Sequence, residues 1–344
     1  MMDALAEPAD AGPAIEGLPF QDPYYESGQA LNLGHRMQLF LDSSSYADRW
    51  DVRAVVNTPI KSPRNPVVEP DQLWETAIGL PNVLFEKETQ TFHRWYANYD
   101  SGAWAGSTRK TKTRRTPYMM SYAYSKDGTH WTKPLLDKVP YLGYKKTNIV
   151  MLGNKTVQEF RVIHTPRYLR DEGKGKFMLW YRDAWPGYTK SVGVAYSHNG
   201  IDWKEHENNP VYANRALDAH HCPIYVEDKG YWLLYGRPMP LAGNEDRYPG
   251  ENMRTRIGVA VSRDMQNWTP MRHCLAPDEE DLPKLDPAEV DRHRDPANEG
   301  FFFDRMSPIR YGNQYLGFLA VQPRHGAGRG WIELATSTDG FRWH

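Results

Sequence analysis

The sequence has few cysteines, almost no net charge and no long hydrophobic run. Its 344 residues include two cysteines, Cys222 and Cys274, which form neither a CxxC pair nor a Cys/His metal-binding spacing. A zinc site built on thiolates is therefore not expected, and we predict no metal and no cofactor. The net charge of −1 argues against general electrostatic binding to nucleic acid or to an anionic membrane. We expect a neutral or small partner.

Targeting and membrane-spanning segments are also missing from the sequence. The first residues contain acids and prolines where a secretory signal has basic residues followed by an apolar run. No apolar stretch approaches the length needed to span a bilayer. The sequence predicts a cytoplasmic protein, or a secreted one if a leader has been removed.

Turn-forming and strand-favouring residues are abundant. The chain has 27 glycines and 26 prolines, and aromatic residues make up 13% of it. Many short strands separated by turns would have this composition, whereas long amphipathic helices are not evident. The composition therefore predicts an all-β fold.

One seven-residue pattern recurs four times, with Ser at its first position and Trp at its seventh. The Ser–Trp pairs are Ser125 with Trp131, Ser197 with Trp203, Ser262 with Trp268, and Ser337 with Trp343. Three copies contain Asp-Gly or Asn-Gly, the pair that a type I′ hairpin turn favours because both residues tolerate positive φ. Each copy is predicted to be a hairpin tip, with a structural role for its Ser and Trp.

Strands are predicted on both sides of each tip. An alternating strand precedes each Ser, as in residues 120–124 and 192–196, and a second hairpin with an aromatic-rich strand lies further upstream. Each unit thus has three antiparallel strands, and the segment after the Trp supplies a fourth. Successive Trp residues are 65 to 75 residues apart, so the units carry long inserted loops that are candidates for a binding face.

Repeated four-stranded units of this kind are typical of a β-propeller. We predict a five-bladed β-propeller of four-stranded antiparallel blades, in which residues 36–42 contribute to the fifth blade. Residues 1–35 are predicted to be an N-terminal extension, and residues 36–344 the propeller domain. Because His344 directly follows the last Trp, either N-terminal strands complete the last blade or a C-terminal part is missing.

The pattern of apolar strand, acidic turn, aromatic strand and S-x-D-G-x-x-W resembles the five-bladed propeller glycoside hydrolases, the group that includes families 32, 43, 68, 117 and 130. The resemblance covers roughly residues 36–343. It implies that catalytic carboxylates project into a pocket around the propeller axis, from or near the innermost strands of different blades.

Several acids stand a few residues before the first apolar strand of a unit. Cleavage of a glycosidic bond needs one acid to protonate the leaving oxygen and one carboxylate to activate water or attack the anomeric carbon. The predicted catalytic acids are Glu75, Asp218 and Asp304, with Glu299 as an alternative to Asp304 and with Asp42 contributing from the fifth blade.

Other polar and aromatic residues fit the wall of a sugar-binding pocket. His220 and His221 adjoin Asp218, and Arg305 follows Asp304. Arg182, Asp183 and Arg237 follow aromatic second strands, where they can hydrogen-bond sugar hydroxyls. Trp95 and Trp185 are candidates for stacking on a sugar, although alternation favours a core position for Trp95 and for most other strand tryptophans.

Two charged segments suggest less specific roles. The basic run at residues 109–115 has no interleaved stacking residues, which favours a solvated loop over a nucleic-acid contact. The acidic segment at residues 278–291 lacks the spacing of an EF-hand loop, and we expect a surface loop or a lid.

The leading hypothesis is a glycoside hydrolase or transglycosylase acting on the end of a glycan or on a small oligosaccharide. Whether it retains or inverts configuration stays open. The sharper carboxylate signatures of families 32 and 68 are absent, since Gly79 or Ile78, His220 or His221, and Met306 occupy their places. A non-catalytic propeller that binds sugar or protein is therefore an alternative. Another is a glycoside phosphorylase whose arginines and histidines bind phosphate.

Overall fold

The computed structural model describes residues 39, 41, 50–53, 55, 57, 60–100, 118–153, 157–186, 188–213, 217–238, 256–277, 301–312, 314–323 and 330–344. The chain divides into two compact units. The first, called the central unit, is Val56–Asn214, and the second, called the terminal unit, combines Met1–Val55 with Arg215–His344.

Two antiparallel sheets form the central unit. Sheet 1 contains β1 (Ala77–Glu86), β2 (Thr91–Tyr99), β3 (Tyr118–Ser125) and β4 (Trp131–Thr132), with β5 (Ile149–Met151) paired to β3. Sheet 2 contains β6 (Gln158–His164), β7 (Phe177–Trp185), β8 (Tyr188–Ser197) and β9 (Lys204–Glu205). A short helix, α1 (Arg167–Asp171), connects β6 to β7.

The terminal unit contains two further antiparallel sheets. Sheet 3 contains β10 (Leu217–Val226), β11 (Tyr231–Pro238), β12 (Ile257–Ser262) and β13 (Arg272–Leu275). Sheet 4 contains β14 (Phe301–Tyr311), β15 (Gln314–Pro323) and β16 (Trp331–Ser337). In every sheet, consecutive strands pair in chain order, the connectivity of a propeller blade.

The predicted all-β fold with four antiparallel repeats is confirmed, while a fifth blade and ring closure stay predictions. Within the described residues, sheet 4 has three strands where sheets 2 and 3 have four. Of the segment assigned to the fifth blade, Leu39 and Leu41 are described. The Gln314 Nε2 donates to the Leu39 carbonyl oxygen at 3.0 Å. The early segment therefore contacts sheet 4, in the same unit.

All four tips share one turn geometry, in which the Ser hydroxyl accepts a hydrogen bond from the amide three residues later. The hydroxyl of Ser125 accepts a hydrogen bond from the Gly128 amide at 2.9 Å, and Ser197 accepts one from Gly200 at 2.8 Å. The corresponding pairs at the other two tips are Ser262 with Met265 and Ser337 with Gly340, each at 2.9 Å. The hydroxyl thus satisfies a turn amide that no strand partner reaches.

The turn differs from the predicted type I′ geometry. Positive φ falls on Gly128 at 74°, on Gly200 at 76° and on Gly340 at 82°, so each tip uses one left-handed residue rather than two. The third tip places Met265 at φ 62° in the same position, so a residue with a side chain adopts there the conformation that glycine adopts at the other three tips. The preceding Asp or Asn instead uses its side chain to cap turn amides, as Asp127 does for Thr129 and His130.

Hydrogen bonds from aromatic side chains connect a second strand to the turn of the following sheet. Trp95 on β2 donates its indole N–H to the Gly200 carbonyl of the sheet 2 turn at 2.7 Å. In the terminal unit, Tyr235 on β11 donates to the Gly340 carbonyl of the sheet 4 turn at 2.6 Å. The repeated turn thus has a role in packing, because its glycine carbonyl accepts a hydrogen bond from the neighbouring sheet.

An ion pair between the last residue of β1 and the residue directly before β7 joins sheets 1 and 2. Lys176 Nζ lies 2.6 Å from Glu86 Oε1, and this hydrogen bond is the main reason that the pKa of Glu86 falls to about 2. A carboxyl with a lowered folded-state pKa stabilises the fold above its unfolded pKa, near 4.5, and loses that contribution as the pH falls toward 2. Because the Lys176 side chain is 53% exposed, solvent screens the pair.

We expect Glu86→Gln to remove about 1 kcal/mol of stability at pH 6 and to flatten the loss of stability between pH 5 and pH 2. Urea unfolding at several pH values measures both effects. Glu88→Gln is the matched control, because Glu88 is an exposed carboxylate in the same hairpin. Equal acid sensitivity of wild type and Glu86→Gln would contradict this assignment.

Candidate functional site

Each of the four sheets has a β-bulge near the beginning of its first strand. A bulge places an extra residue in one strand, bends that strand and changes the direction of its side chains. The bulged positions are Leu80 and Pro81 in sheet 1, Glu159 and Phe160 in sheet 2, Asp218, His220 and His221 in sheet 3, and Asp304 in sheet 4. Several residues predicted for the site from the sequence therefore share one structural position.

Asp304 is the extra residue of its bulge and is oriented by two arginines. Arg237 on β11 donates from Nη1 to Asp304 Oδ1 at 2.6 Å, and Arg305 donates from Nε to Asp304 Oδ2 at 3.1 Å. The Asp304 side chain is 9% exposed, whereas that of Arg305 is 34% exposed. The structure thus brings three of the predicted residues together within the terminal unit.

Sheet 3 adds the predicted Asp218 and its histidines to the same unit. Strand β10 packs beside β14, and Ala219 is paired with Arg237 across the β10–β11 ladder. Asp218 therefore lies one residue from the position opposite Arg237. For Asp218 and His220 the structure describes the backbone in β10, and their side chains lie outside the described residues. His221 is buried in the terminal unit.

The central unit contains a separate acid–arginine pair. Arg182 on β7 donates from Nη1 to Glu159 Oε2 at 3.0 Å, and both side chains are largely buried. Glu159 has a positive φ of 52°, an uncommon conformation for a residue with a side chain. Sequence patterns missed Glu159. It lies at the bulge of β6 as Asp218 and Asp304 lie at the bulges of β10 and β14. That placement near the start of a unit's first strand is the signal that could have revealed it.

Asp183 and Trp185 follow Arg182 on β7. Asp183 is buried, and its Oδ1 accepts a hydrogen bond from the Ala184 amide at 2.8 Å. Trp185 is partly buried, with its ring centroid 5.7 Å from that of Tyr181. A Cβ built on Gly193 would lie 2.5 Å from Trp185, so the ring closely covers that glycine. Trp185 thus packs against its own sheet over part of its surface.

Glu75 lies inside a hydrogen-bond network of sheet 1, and its side chain has 0% exposure. Its Oε1 accepts from the Tyr96 hydroxyl at 2.6 Å, and its Oε2 lies 2.6 Å from Lys133 Nζ. Asn148 donates to the Tyr96 oxygen at 2.6 Å. Burial, followed by the negative charge of Glu75, raises the pKa of Tyr96 well above its usual value. This enclosure favours a structural role for Glu75.

Trp95 lies in the core rather than on an accessible surface, and its side chain is 0% exposed. Its ring packs against Phe177 at 5.1 Å and Trp203 at 6.1 Å between centroids. Trp95 therefore exposes no ring face on which a sugar could stack. Glu299 and Asp42 lie outside the described residues.

The Asp304 cluster has a defined chemical capacity. Both carboxylate oxygens accept hydrogen bonds, and guanidinium groups donate but never accept. Asp304 is therefore arranged as a hydrogen-bond acceptor or nucleophile, because each of its carboxylate oxygens accepts from a guanidinium donor. Bidentate or paired arginine contacts also fix a carboxylate more rigidly than lysine does.

Among the described side chains, no group of three or more His, Cys, Asp and Glu is arranged to hold a metal ion. In the part of the chain that the structure covers, no helix combines the length and hydrophobicity that crossing a lipid bilayer requires.

No model of a known protein family matches the sequence, and no curated protein matches it. Among solved structures, an N-acetylgalactosamine deacetylase from F. plautii is 10% identical over 79% of this chain and 70% of that chain, with a TM-score of 0.47. A fructofuranosidase from Schwanniomyces occidentalis is 13% identical over 80% of this chain and 46% of that chain, with a TM-score of 0.48. A family 117 glycoside hydrolase from Zobellia galactanivorans is 14% identical over 77% of this chain and 67% of that chain, with a TM-score of 0.43.

The resemblance expected from the sequence is confirmed, since β-propeller glycoside hydrolases of families 32, 117 and 130 are among the similar solved structures. The chain covers 46% and 48% of the length of the two fructofuranosidases that it matches.

Proposed function

We propose that this chain is a glycoside hydrolase that cleaves a terminal glycosidic bond, with Asp304 as its nucleophilic or basic carboxylate. The observation that carries the proposal is the placement of Asp304 on the β14 bulge between Arg237 at 2.6 Å and Arg305 at 3.1 Å. A reactive carboxylate needs a fixed direction, and two guanidinium donors supply it. The sequence resemblance to propeller glycoside hydrolases supports the class of activity, while the choice of Asp304 rests on its two arginine contacts.

The proposed reaction needs a second carboxyl group as proton donor. Asp218 is our candidate, because it lies at a bulge of β10, the strand that packs beside β14 in the same unit. Glu299 is the alternative donor that the sequence offers. In the reaction, the donor protonates the departing glycosidic oxygen while Asp304 attacks the anomeric carbon or removes a proton from water. A separation of about 5 Å between the two carboxyl groups would accompany retention, and roughly 6.5–9.5 Å inversion.

A glycoside phosphorylase is the second candidate, and the Arg305 contact favours it. Within the described part of the chain, Arg305 uses its Nε for Asp304, while its Nη groups make no hydrogen bond. Two free Nη donors on a partly exposed guanidinium suit a phosphate oxygen as well as a sugar hydroxyl. Phosphate would then replace water as the attacking group.

The test of the proposed function is turnover of a panel of aryl glycosides and short oligosaccharides, each measured with and without inorganic phosphate. Release of the aglycone or the terminal sugar without phosphate supports the hydrolase, whereas turnover that requires phosphate supports the phosphorylase. Glycan binding without turnover of any substrate would contradict both and support a non-catalytic propeller.

Arg305→Gln is expected to raise KM about tenfold for a substrate identified in that panel, because the variant loses a charged donor at the site. We expect kcat to change less than KM, since Arg237 continues to hold Asp304. Steady-state kinetics separates the two parameters. Arg310→Gln is the matched control, because Arg310 lies on the same strand and pairs with Asp228 instead. An unchanged KM in Arg305→Gln would contradict a substrate contact.

A further inference from the structure

A cavity of about 320 Å³ opens in the central unit between the β1–β2 hairpin and the connection from β6 through α1 to β7. This volume lies at the small end of the range for ligand sites. Strand β1 begins at Ala77 and reaches the cavity at Phe85 and Glu86. Ten residues of strand span about 30 Å, so the cavity lies at the opposite end of β1 from its bulge.

Three aromatic residues are among those that line this cavity, namely Phe85, His164 and Phe177. The Phe85 ring lies 4.6 Å from that of Phe92, which holds it in place. The His164 ring stacks on Phe177 with 6.0 Å between centroids and an interplanar angle of 30°. Burial and the nearby Arg170 lower the pKa of His164, so its imidazole is neutral near pH 7. Phe177 is buried beneath His164, so the apolar surface that a ligand can contact comes mainly from Phe85 and His164.

Three cations and two carboxylates also line the cavity, namely Lys87, Arg170, Lys176, Glu86 and Glu88. The Glu86 carboxylate is already engaged, by Lys176 at 2.6 Å and by His93 at 3.4 Å. Lys176 therefore retains two ammonium donors. In the described residues, the exposed side chains of Lys87 and Arg170 make no hydrogen bond or ion pair. An excess of unused cationic donors favours an anion.

The exposed carboxylate of Glu88 restricts the kind of anion that fits. It lies on the cavity with no hydrogen bond to the rest of the described chain, so it can accept hydroxyl donors from a ligand. A ligand that satisfies every part of this lining has a carboxylate for the cations, hydroxyls for Glu88 and an apolar face for the rings. A pyranose that bears a carboxylate has all three features.

We propose that this cavity is a binding site for an acidic sugar unit, such as a hexuronate. The site is separate from the Asp304 cluster, and binding there does not require the chain to be a hydrolase. In a carbohydrate-active protein it would bind an acidic residue of a glycan. Recognition combines charge, which gives salt dependence, with contact between the rings and the sugar face.

The experiment titrates the full chain with methyl glucuronide and compares it with methyl glucoside, benzoate and inorganic phosphate. Calorimetry gives the affinities, and the His164 ring resonance in NMR reports the site. We expect methyl glucuronide to bind at least tenfold more tightly than each of the other three and to shift the His164 signal. Binding of phosphate or benzoate at equal strength, or no binding of methyl glucuronide, would overturn the proposal.

The variant Arg170→Gln tests whether this cavity binds the carboxylate of the sugar. We expect this variant to bind methyl glucuronide about tenfold more weakly, the loss typical of a charge-assisted hydrogen bond. Arg167→Gln is the matched control on the same helix, because Arg167 pairs with Asp171 and does not line the cavity. Equal losses in both variants would overturn the assignment of the anion to this cavity. Both residues are exposed, so neither change should impair folding.

Discussion

Replacing Asp304 with Asn is expected to lower kcat/KM by about 10³-fold, the largest effect on activity that this structure predicts. The substitution keeps the shape of the side chain but removes the charge that attacks carbon or accepts the proton. It also replaces one acceptor oxygen with an NH2 group that faces the donor of Arg237 or Arg305. A 10³-fold loss corresponds to about 4 kcal/mol of transition-state stabilisation.

Three further measurements separate a chemical role of Asp304 from a structural one. Asp228→Asn removes another aspartate–arginine pair of the terminal unit, the pair with Arg310, and should retain activity within about twofold. Thermal unfolding should show a folded Asp304→Asn protein. In Asp304→Ala, added formate should restore part of the activity, since a free carboxylate can enter the vacated space. Full activity in Asp304→Asn would exclude Asp304 as the reactive group.

The sequence predicted the sheets well because its repeated turn encodes local geometry. Ser125 and Gly128 are three residues apart, and their hydrogen bond requires nothing from the rest of the chain. Alternation of apolar residues then predicted the strand that precedes each Ser. Both signals are local, which is why four sheets could be anticipated from one chain.

The candidate site was harder to predict, because β-bulges determine it. A bulge shifts side-chain direction by one residue, and a single extra residue in a strand leaves no compositional trace. The proximity of Arg237 and Asp304 depends on two strands from different sheets, 67 positions apart in the chain. The sequence identified both residues as polar groups near strand ends, but it did not predict that they form a pair. It also did not predict that Arg182 pairs with Glu159.

Burial was the other property that local patterns did not resolve. Glu75 lies two residues before β1, whereas Asp218 and Asp304 lie inside β10 and β14. The sequence pattern selected all three alike, yet Lys133 and Tyr96 enclose Glu75. Lys133 is 58 positions away along the chain. Whether an acid at a strand end faces a cavity or a buried cation is decided by such distant residues.

Trp95→Ala is expected to destabilise the fold by about 3–5 kcal/mol, the largest stability effect that this structure predicts. The indole is fully buried and fills the space between sheets 1 and 2, where it contacts Phe177 and Trp203. Truncation leaves a cavity and also removes the donor for the Gly200 carbonyl. Gly200 cannot rearrange freely to fill the space, because its φ of 76° belongs to the repeated turn. Urea unfolding measures the loss.

Two variants divide this effect into its parts. Trp95→Phe keeps most of the ring and loses the N–H, so its cost should be smaller, about 1–2 kcal/mol, for the smaller ring and the unpaired carbonyl. Trp50→Ala removes a tryptophan that is 91% exposed and should change stability by less than about 0.5 kcal/mol. If Trp95→Ala were as mild as Trp50→Ala, the contact between the β2 indole and the sheet 2 turn would not hold the two sheets together. Local hydrogen bonding within the turn would then be the only structural reason for its repetition in the four sheets.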